Sequence, residues 1–323
     1  MAPLHNSLAL LCPVYNDWQS LAVLISHLDS VLEKSALKVS LFVVDDGSTV
    51  ELDPAVIPQV SNIHSIECLS LLTNLGHQRA IAVGLCEIEK RNSFDAVIVM
   101  DSDGEDRPED ILSLLKAHQE RPKAIVVAQR VARSEGKSFK FFYFFYKNLF
   151  QFLTGQAIDF GNFCLIPASQ LRHINAMTET WNHLAASIVR SRIPLIRVPT
   201  SRAKRYAGTS SMNFIALVLH GFGGMSVFID IFLARLLVIL ISLGGLTLLI
   251  GLFVMLAKVT HPGLVPQWIN YALAFGVILL SQIFTFALVT IFMVLAQRGS
   301  QKLPPSSFAS NYLRQVNVLS KIS

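Results

Sequence analysis

Two long apolar runs constrain this chain more than any other feature. Ile231–Ala257 holds one charge, Arg235, near its start, and Tyr271–Ala296 holds none. Each exceeds the roughly 20 residues needed to cross a bilayer core of about 30 Å. Two core helices of a soluble domain are the alternative, but the runs are adjacent and no Asp or Glu follows Asp230. The connection, Lys258–Asn270, carries His261-Pro262-Gly263 and Pro266, which stop helices. It is short, so a transmembrane hairpin over 231–297 is expected. The composition agrees: 52% of residues are hydrophobic and the mean hydropathy is +0.49, too apolar for an ordinary soluble protein.

The net charge of +5 does not describe a nucleic-acid-binding face. Six of the 27 basic residues lie beyond Asp230, which leaves 21 basic against 22 acidic groups in residues 1–230. The excess sits at membrane flanks. Arg235, Arg298, Lys302, Arg314 and Lys321 border the outer ends of the two runs, and the connecting loop has only Lys258. The positive-inside rule then puts both termini in the cytoplasm, with 298–323 as a basic cytoplasmic tail. Four cysteines without metal spacing read as reduced packing residues.

Before the hairpin, strand-like segments (Leu8–Val14, Val39–Val44, Ser65–Leu71, Ala96–Met100, Ala124–Ala128, Leu195–Pro199) alternate with helix-like ones (Trp18–Lys34, Gln78–Arg91, Pro108–Gln119, Thr180–Arg190). This order predicts an α/β domain over 1–212 with a mostly parallel sheet, helices on both faces and ligands at the carboxyl ends of the strands. Ser138–Leu153 has seven Phe in sixteen positions, with Lys140, Lys147 and Gln151 on one helical stripe. That pattern suits a helix lying on a membrane surface, with a buried aromatic core helix as the alternative. Residues 213–230 are read as a juxtamembrane segment. Gly244, Gly245 and Gly251 in the first run permit close helix contacts of the kind a homo-oligomer would use, without fixing the oligomeric state.

Three strand ends carry acids. Val97-Ile98-Val99-Met100 runs into Asp101-Ser102-Asp103, with Glu105 two residues on. Carboxylates so placed suit Mg²⁺ or Mn²⁺ completed by substrate phosphates, or else a solvated helix cap. Leu41–Val44 ends in Asp45-Asp46-Gly47-Ser48, where a carboxylate can accept hydrogen bonds from a base or ribose. The first strand ends in Pro13-Val14-Tyr15-Asn16-Asp17, where Tyr15 can stack on a base and Asp17 can bind a hydroxyl.

Pro-Val-Tyr-Asn, Val-Asp-Asp-Gly-Ser and Asp-Ser-Asp together resemble glycosyltransferase family 2, with the GT-A (Rossmann-like) fold. Asn74-Leu75-Gly76-His77-Gln78-Arg79-Ala80, Arg130 with Arg133 and Glu135-Gly136, Asp159-Phe160-Gly161-Asn162-Phe163, and Arg202, Arg205, Gly208 and Ser210 resemble its polyprenyl-phosphate branch. Dolichyl-phosphate mannose synthase and the undecaprenyl-phosphate glucosyl- and aminoarabinosyltransferases belong to that branch. The resemblance implies a nucleotide-sugar donor, a polyprenyl-phosphate acceptor and membrane lipids as partners, at a bacterial inner membrane. It implies that Pro13, Tyr15, Asn16, Asp17, Asp45 and Asp46 hold the nucleoside, with Asp101 and Ser102 beside it. Asp101, Asp103 and Glu105 would hold Mg²⁺ or Mn²⁺; Arg130, Arg202 and Arg205 would face phosphates; Asp159 would sit near the acceptor. The branch's Leu-Gln after the second metal Asp is here Gly104-Glu105, its Phe-Arg-Leu arginine is Cys164, its Ser-Lys-Tyr is Ser210-Ser211-Met212, and the arginine often preceding its Asn is Thr73. Transfer to another lipid or glycan, and a non-catalytic scaffold of the same fold, are the rival readings.

Overall fold

The computed structural model describes residues 7–33, 35, 37–130, 148–207, 214–261, 263, 265–298 and 303–322. The chain divides into two compact units. The first comprises the described residues up to 130, 158–227 and 303–322; the second comprises 148–157 and 228–302.

In the first unit, β1 (Ser7–Val14), β2 (Lys38–Asp45), β3 (Ile63–Leu71) and β4 (Ala96–Val99) are apolar runs buried on both faces, as strands covered by helices must be. They join β5 (Ile125–Arg130), β6 (Phe160–Pro167), β7 (Leu195–Thr200) and β8 (Leu313–Lys321) in one sheet, ordered β7-β5-β6-β4-β1-β2-β3-β8. β1 pairs in parallel with β2 and β4, β2 with β3, and β5 with β7. β6 is antiparallel to both neighbours, and β8 is antiparallel to β3.

Alternation along each strand sends side chains to two cores. On one face Leu10, Cys12, Leu41 and Val43 meet α1 (Trp18–Leu32) and α3 (Asp110–Glu120). α1 buries Leu21, Leu24, Ile25, Leu28 and Leu32, an i, i+3, i+4 stripe. On the other face Leu11, Phe42 and Val44 meet α2 (His77–Arg91), α5 (Ala168–Asn175) and α6 (Leu184–Ser191). A Cβ on Gly84 of α2 would lie 2.4 Å from Leu11 Cδ1, so glycine lets this helix settle onto β1. α2 stops at Asn92, in the left-handed region, with Lys90 and Arg91 in its last turn facing the negative end of the helix dipole.

The expected parallel strands are present, with three differences. β6 inserts antiparallel between β4 and β5. The helix expected over Thr180–Arg190 is a 3-10 turn, Thr178–Trp181, followed by α6. Residues 298–323 are not simply a basic tail: α10 (Pro305–Phe308) leads into β8, which pairs with β3 from Ser65 to Leu71. Part of the expected juxtamembrane segment is helix α7 (Phe214–Ser226), which belongs to the first unit.

In the second unit, residues 148–154 are helical (α4), and the expected interfacial segment 138–147 lies outside the described residues. Two long helices follow, α8 (Ile229–Thr260) and α9 (Trp268–Arg298). With 32 residues, α8 is about 48 Å long. Only 6% of the most apolar window of either helix is buried, so neither packs as the core helix of a soluble domain, and both are long and apolar enough to cross a membrane. Phe253 and Phe286 are 71% and 73% exposed. Arg235 on α8 donates to Phe152 O at 2.6 Å.

Candidate active site

The parallel strands end along one edge of the sheet, and the loops there bring most of the expected polar residues together. Asp101 follows β4 after one residue, Met100, and Asp106 Oδ2 accepts from its amide at 3.1 Å, which fixes the turn. Asp103 Oδ1 accepts from Glu105 N at 3.0 Å. Gly104 completes the turn at φ +84, a conformation costly for any residue with a Cβ. Loop 201–207 lies against this turn: Ala203 N donates to Glu105 O at 3.0 Å and Tyr206 N to Asp103 O at 2.9 Å.

That apposition places two arginines on the acids. Arg205 bridges Asp17 Oδ2 at 2.9 Å and Asp103 Oδ2 at 3.1 Å. Arg202 pairs with Glu105. Burial pushes the Asp103 carboxyl up to about 6; Asp101 adds to the effect, and Arg205 and Arg202 oppose it. Asp101 Oδ1 faces His77 Nε2 at 3.2 Å. Burial alone would lower the pKa of His77, but Asp101 first, then Asp46 and Asp103, outweigh burial and raise it. The strand end therefore favours positive charge, and the oxygen-rich pair Asp101 and Asp103 fits a hard divalent cation. The carboxylate of Glu105 is paired with Arg202, and among the described residues no three His, Cys, Asp or Glu side chains are gathered as a metal cluster.

Two residues read as nucleotide ligands have their polar atoms committed to the fold. Asn16, at φ +54, accepts through Oδ1 from Thr49 N at 2.9 Å and Val50 N at 3.1 Å, tying the loop after β1 to the loop after β2. Asp46 is 3% exposed and accepts from Leu75 N at 2.7 Å and Gly76 N at 3.0 Å. Burial raises its pKa, while those amides and His77 oppose the rise. Asp45 Oδ1 accepts from Ser48 N at 2.9 Å, closing its own turn. Pro13 is buried inside β1, opposite Val44, and Ser102 is buried. Of the other residues expected to hold a nucleoside, Tyr15 is exposed and Asp17 and Asp45 are half-buried.

Asp159 lies just before β6. It accepts from Gln129 Nε2 at 2.6 Å and takes Arg197 Nε at 3.1 and 3.2 Å on its two oxygens. Arg197, on β7, was not singled out from the sequence; an exposed arginine on a strand gives no signal of its partner. His77 stands inside the Asn74–Ala80 stretch, where the sequence carries no sign of its contact with Asp101. Arg130 ends β5 opposite Thr200. Its side chain, with Arg133, Glu135, Gly136, Gly208 and Ser210–Met212, lies outside the described residues.

Residues 10–180 match the family model described as glycosyl transferase family 2. A structure of glucosyl-3-phosphoglycerate synthase from Mycobacterium tuberculosis, in complex with Mn²⁺, uridine-diphosphate-glucose and phosphoglyceric acid, is 14% identical, with 70% of this chain and 80% of that one covered and a TM-score of 0.48. Mannosyl-3-phosphoglycerate synthase from Rubrobacter xylanophilus is also 14% identical, over 68% of this chain and 72% of that one, with a TM-score of 0.46. The sequence match spans more than half of the chain and runs from within β1 to within the 3-10 turn before α6. With a Rossmann-like GT-A sheet and acids at its strand ends, the chain belongs to glycosyl transferase family 2.

Proposed function

We propose that this chain moves a sugar from a UDP- or GDP-linked donor to a polyprenyl phosphate at the cytoplasmic face of a membrane, with inversion at the anomeric carbon. The observation that carries the reading is the bridge from Asp17 through Arg205 to Asp103 at the carboxyl ends of β1 and β4. It joins a nucleoside-side acid, a phosphate-binding cation and a metal-site acid in one contact. In the free protein the arginines neutralise the acids. When a cation and a diphosphate enter, guanidinium groups suit the phosphate oxygens, which they bind bidentately while staying charged.

The acceptor assignment is supported by connectivity. The first unit leaves at Val227 and resumes at Leu303, so both ends of the hairpin return to the same folded unit. A hairpin that crosses a bilayer must therefore have both ends on one side, and the unit stays at the membrane surface where a lipid phosphate presents its head group. Excess basic residues at those ends favour the cytoplasmic side.

In the transfer, an oxygen of the lipid phosphate attacks the anomeric carbon. The bond from that carbon to the donor's diphosphate breaks, and the nucleoside diphosphate leaves with the electron pair. A divalent cation held by Asp101 and Asp103 would supply charge neutralisation for that leaving group. A phosphate monoester is already anionic near neutral pH and needs little help from a base. This agrees with Asp159, whose oxygens are paired with Arg197 and Gln129: its role is to position the acceptor and not to accept a proton. The test is label transfer from radiolabelled UDP- and GDP-sugars to undecaprenyl phosphate by the detergent-purified chain with Mg²⁺ or Mn²⁺. Acid-labile, lipid-soluble label, absent with Asp103→Ala, is expected. Label appearing only in a different acceptor would overturn the assignment.

A further inference from the structure

Arg202 and Arg205 are carried by loop 201–207. In the free protein their ion pairs with Glu105, Asp17 and Asp103 hold that loop at the strand ends. Under the reading above the guanidinium groups turn to a diphosphate, and ion pairs that are given up cannot hold the loop. Contacts that do not involve the arginines must then keep it in place. Two are backbone bonds, from Ala203 N to Glu105 O and from Tyr206 N to Asp103 O. Another is made by the Tyr206 side chain, whose ring lies against Gly104 and whose hydroxyl meets His27 Nδ1 at 2.7 Å.

His27 stands on a fixed base, because α1 buries its neighbours Leu24, Ile25 and Leu28 in the core. Its second nitrogen, Nε2, meets Glu109 Oε1 at 3.0 Å, one residue before α3. Burial opposes ionisation of Glu109, but its own amide, His27 and Arg107 outweigh burial and lower its pKa. A carboxylate only accepts, so Nε2 carries a proton and donates to it. In the neutral imidazole the lone pair is then on Nδ1, and the Tyr206 hydroxyl donates there. Burial first, then Glu109 and Asp103, raises the pKa of that tyrosine, so the hydroxyl keeps the proton it donates. Donors and acceptors are matched from Glu109 through His27 to Tyr206, and both ring nitrogens of His27 are committed to this row.

We propose that His27 is a positioning residue for sugar transfer: oriented by Glu109, it holds Tyr206 so that loop 201–207 keeps Arg202 and Arg205 at the donor's diphosphate. The inference rests on the reading that these arginines bind that diphosphate. Removing the hold leaves both guanidinium groups in the chain but lets them drift, and a small displacement of a positioning group is costly in rate. A histidine that served stability alone would lower the melting temperature and leave nucleotide affinity and turnover as they are.

The test measures UDP and GDP affinity, donor kcat/KM with undecaprenyl phosphate, and melting temperature for the full chain in detergent. His27→Leu removes the acceptor, Tyr206→Phe removes the donor, and His27→Asn sets Oδ1 about where Nδ1 stood. His27→Leu and Tyr206→Phe should each weaken nucleotide binding and lower donor kcat/KM about five- to tenfold, as loss of one hydrogen bond allows. The double variant should be no worse than either single one, and His27→Asn should recover to within about threefold of the parent. In an Arg202→Ala/Arg205→Ala background His27→Leu should lower the melting temperature by the same amount and change nucleotide affinity no further. Unchanged affinity and rate in His27→Leu, or a loss of equal size without the two arginines, would overturn the role of His27. Nucleotide affinity undiminished in Arg202→Ala/Arg205→Ala would overturn the reading of the arginines on which it rests. If no sugar reaches undecaprenyl phosphate, the acceptor assignment fails, and nucleotide affinity still decides the role of His27.

Discussion

Gly104→Ala tests how the two arginines are held at the acids. A Cβ at this position would lie 2.3 to 2.6 Å from three atoms of the Tyr206 ring. The ring must retreat by more than an ångström, yet it is held at both ends: Tyr206 N donates to Asp103 O at 2.9 Å, and its hydroxyl meets His27 Nδ1 at 2.7 Å. The left-handed φ costs an alanine about 1 kcal/mol or more, and losing one of the two tyrosine hydrogen bonds costs about 1 kcal/mol. The sum, about 2–3 kcal/mol, lowers the melting temperature of a domain of this size by roughly 5–10 °C. Loop 201–207 moves with the ring and takes Arg202 and Arg205 with it. A displacement of about 1 Å at a positioning group costs on the order of 100-fold in rate. Thermal unfolding in detergent and initial rates of sugar transfer measure the two effects. In a Tyr206→Ala background the added methyl no longer meets the ring, and only the backbone cost of about 1 kcal/mol should remain. A Gly104→Ala protein melting within a degree of the parent, with unchanged rate, would refute the packing argument.

Two further outcomes follow from the titrating groups. Because the folded protein raises the Asp103 pKa from 3.8 to about 6, the folded state binds this proton more tightly than the unfolded one. Stability from this group is full below about pH 4 and is lost as the pH rises through about 6, at most about 3 kcal/mol. Asp103→Asn should therefore match the parent near pH 4 and exceed it in melting temperature above pH 6; equal differences at both pH values would contradict the assigned cause. Cys12, Cys68, Cys86 and Cys164 are all buried. Burial raises every one of these thiols, Cys68 to about 11 and Cys86 to about 12. Iodoacetamide at pH 8 should label none of them until the protein is unfolded, as mass spectrometry of the native chain would show.

The strand ends were legible because each is an apolar run, buried on both faces, that breaks at an acid. β6 was not, because Phe160-Gly161-Asn162-Phe163 reads as a loop and acquires its ladder only from β4 and β5, far away in sequence. β8 was hidden for a related reason: exposed along most of its length, it lacks the apolar pattern that marks a strand, and its basic residues read as a tail. Within the site, sequence identified which residues are acids but not where their oxygens are used. Asp45 and Asp46 are neighbours in one motif, yet one closes a local turn and the other anchors the loop before α2. The same limit concealed His77 and Arg197, whose partners Asp101 and Asp159 are set by tertiary packing.

Phosphorus NMR of the acceptor lipid, recorded while the nucleotide product is identified, tests the central claim most directly. Transfer of the sugar alone converts the lipid's phosphate monoester to a diester and releases one nucleoside diphosphate for each lipid consumed, and Asp103→Ala does neither. A lipid diphosphate formed with nucleoside monophosphate, or a lipid phosphate left unchanged while donor is consumed, would contradict it.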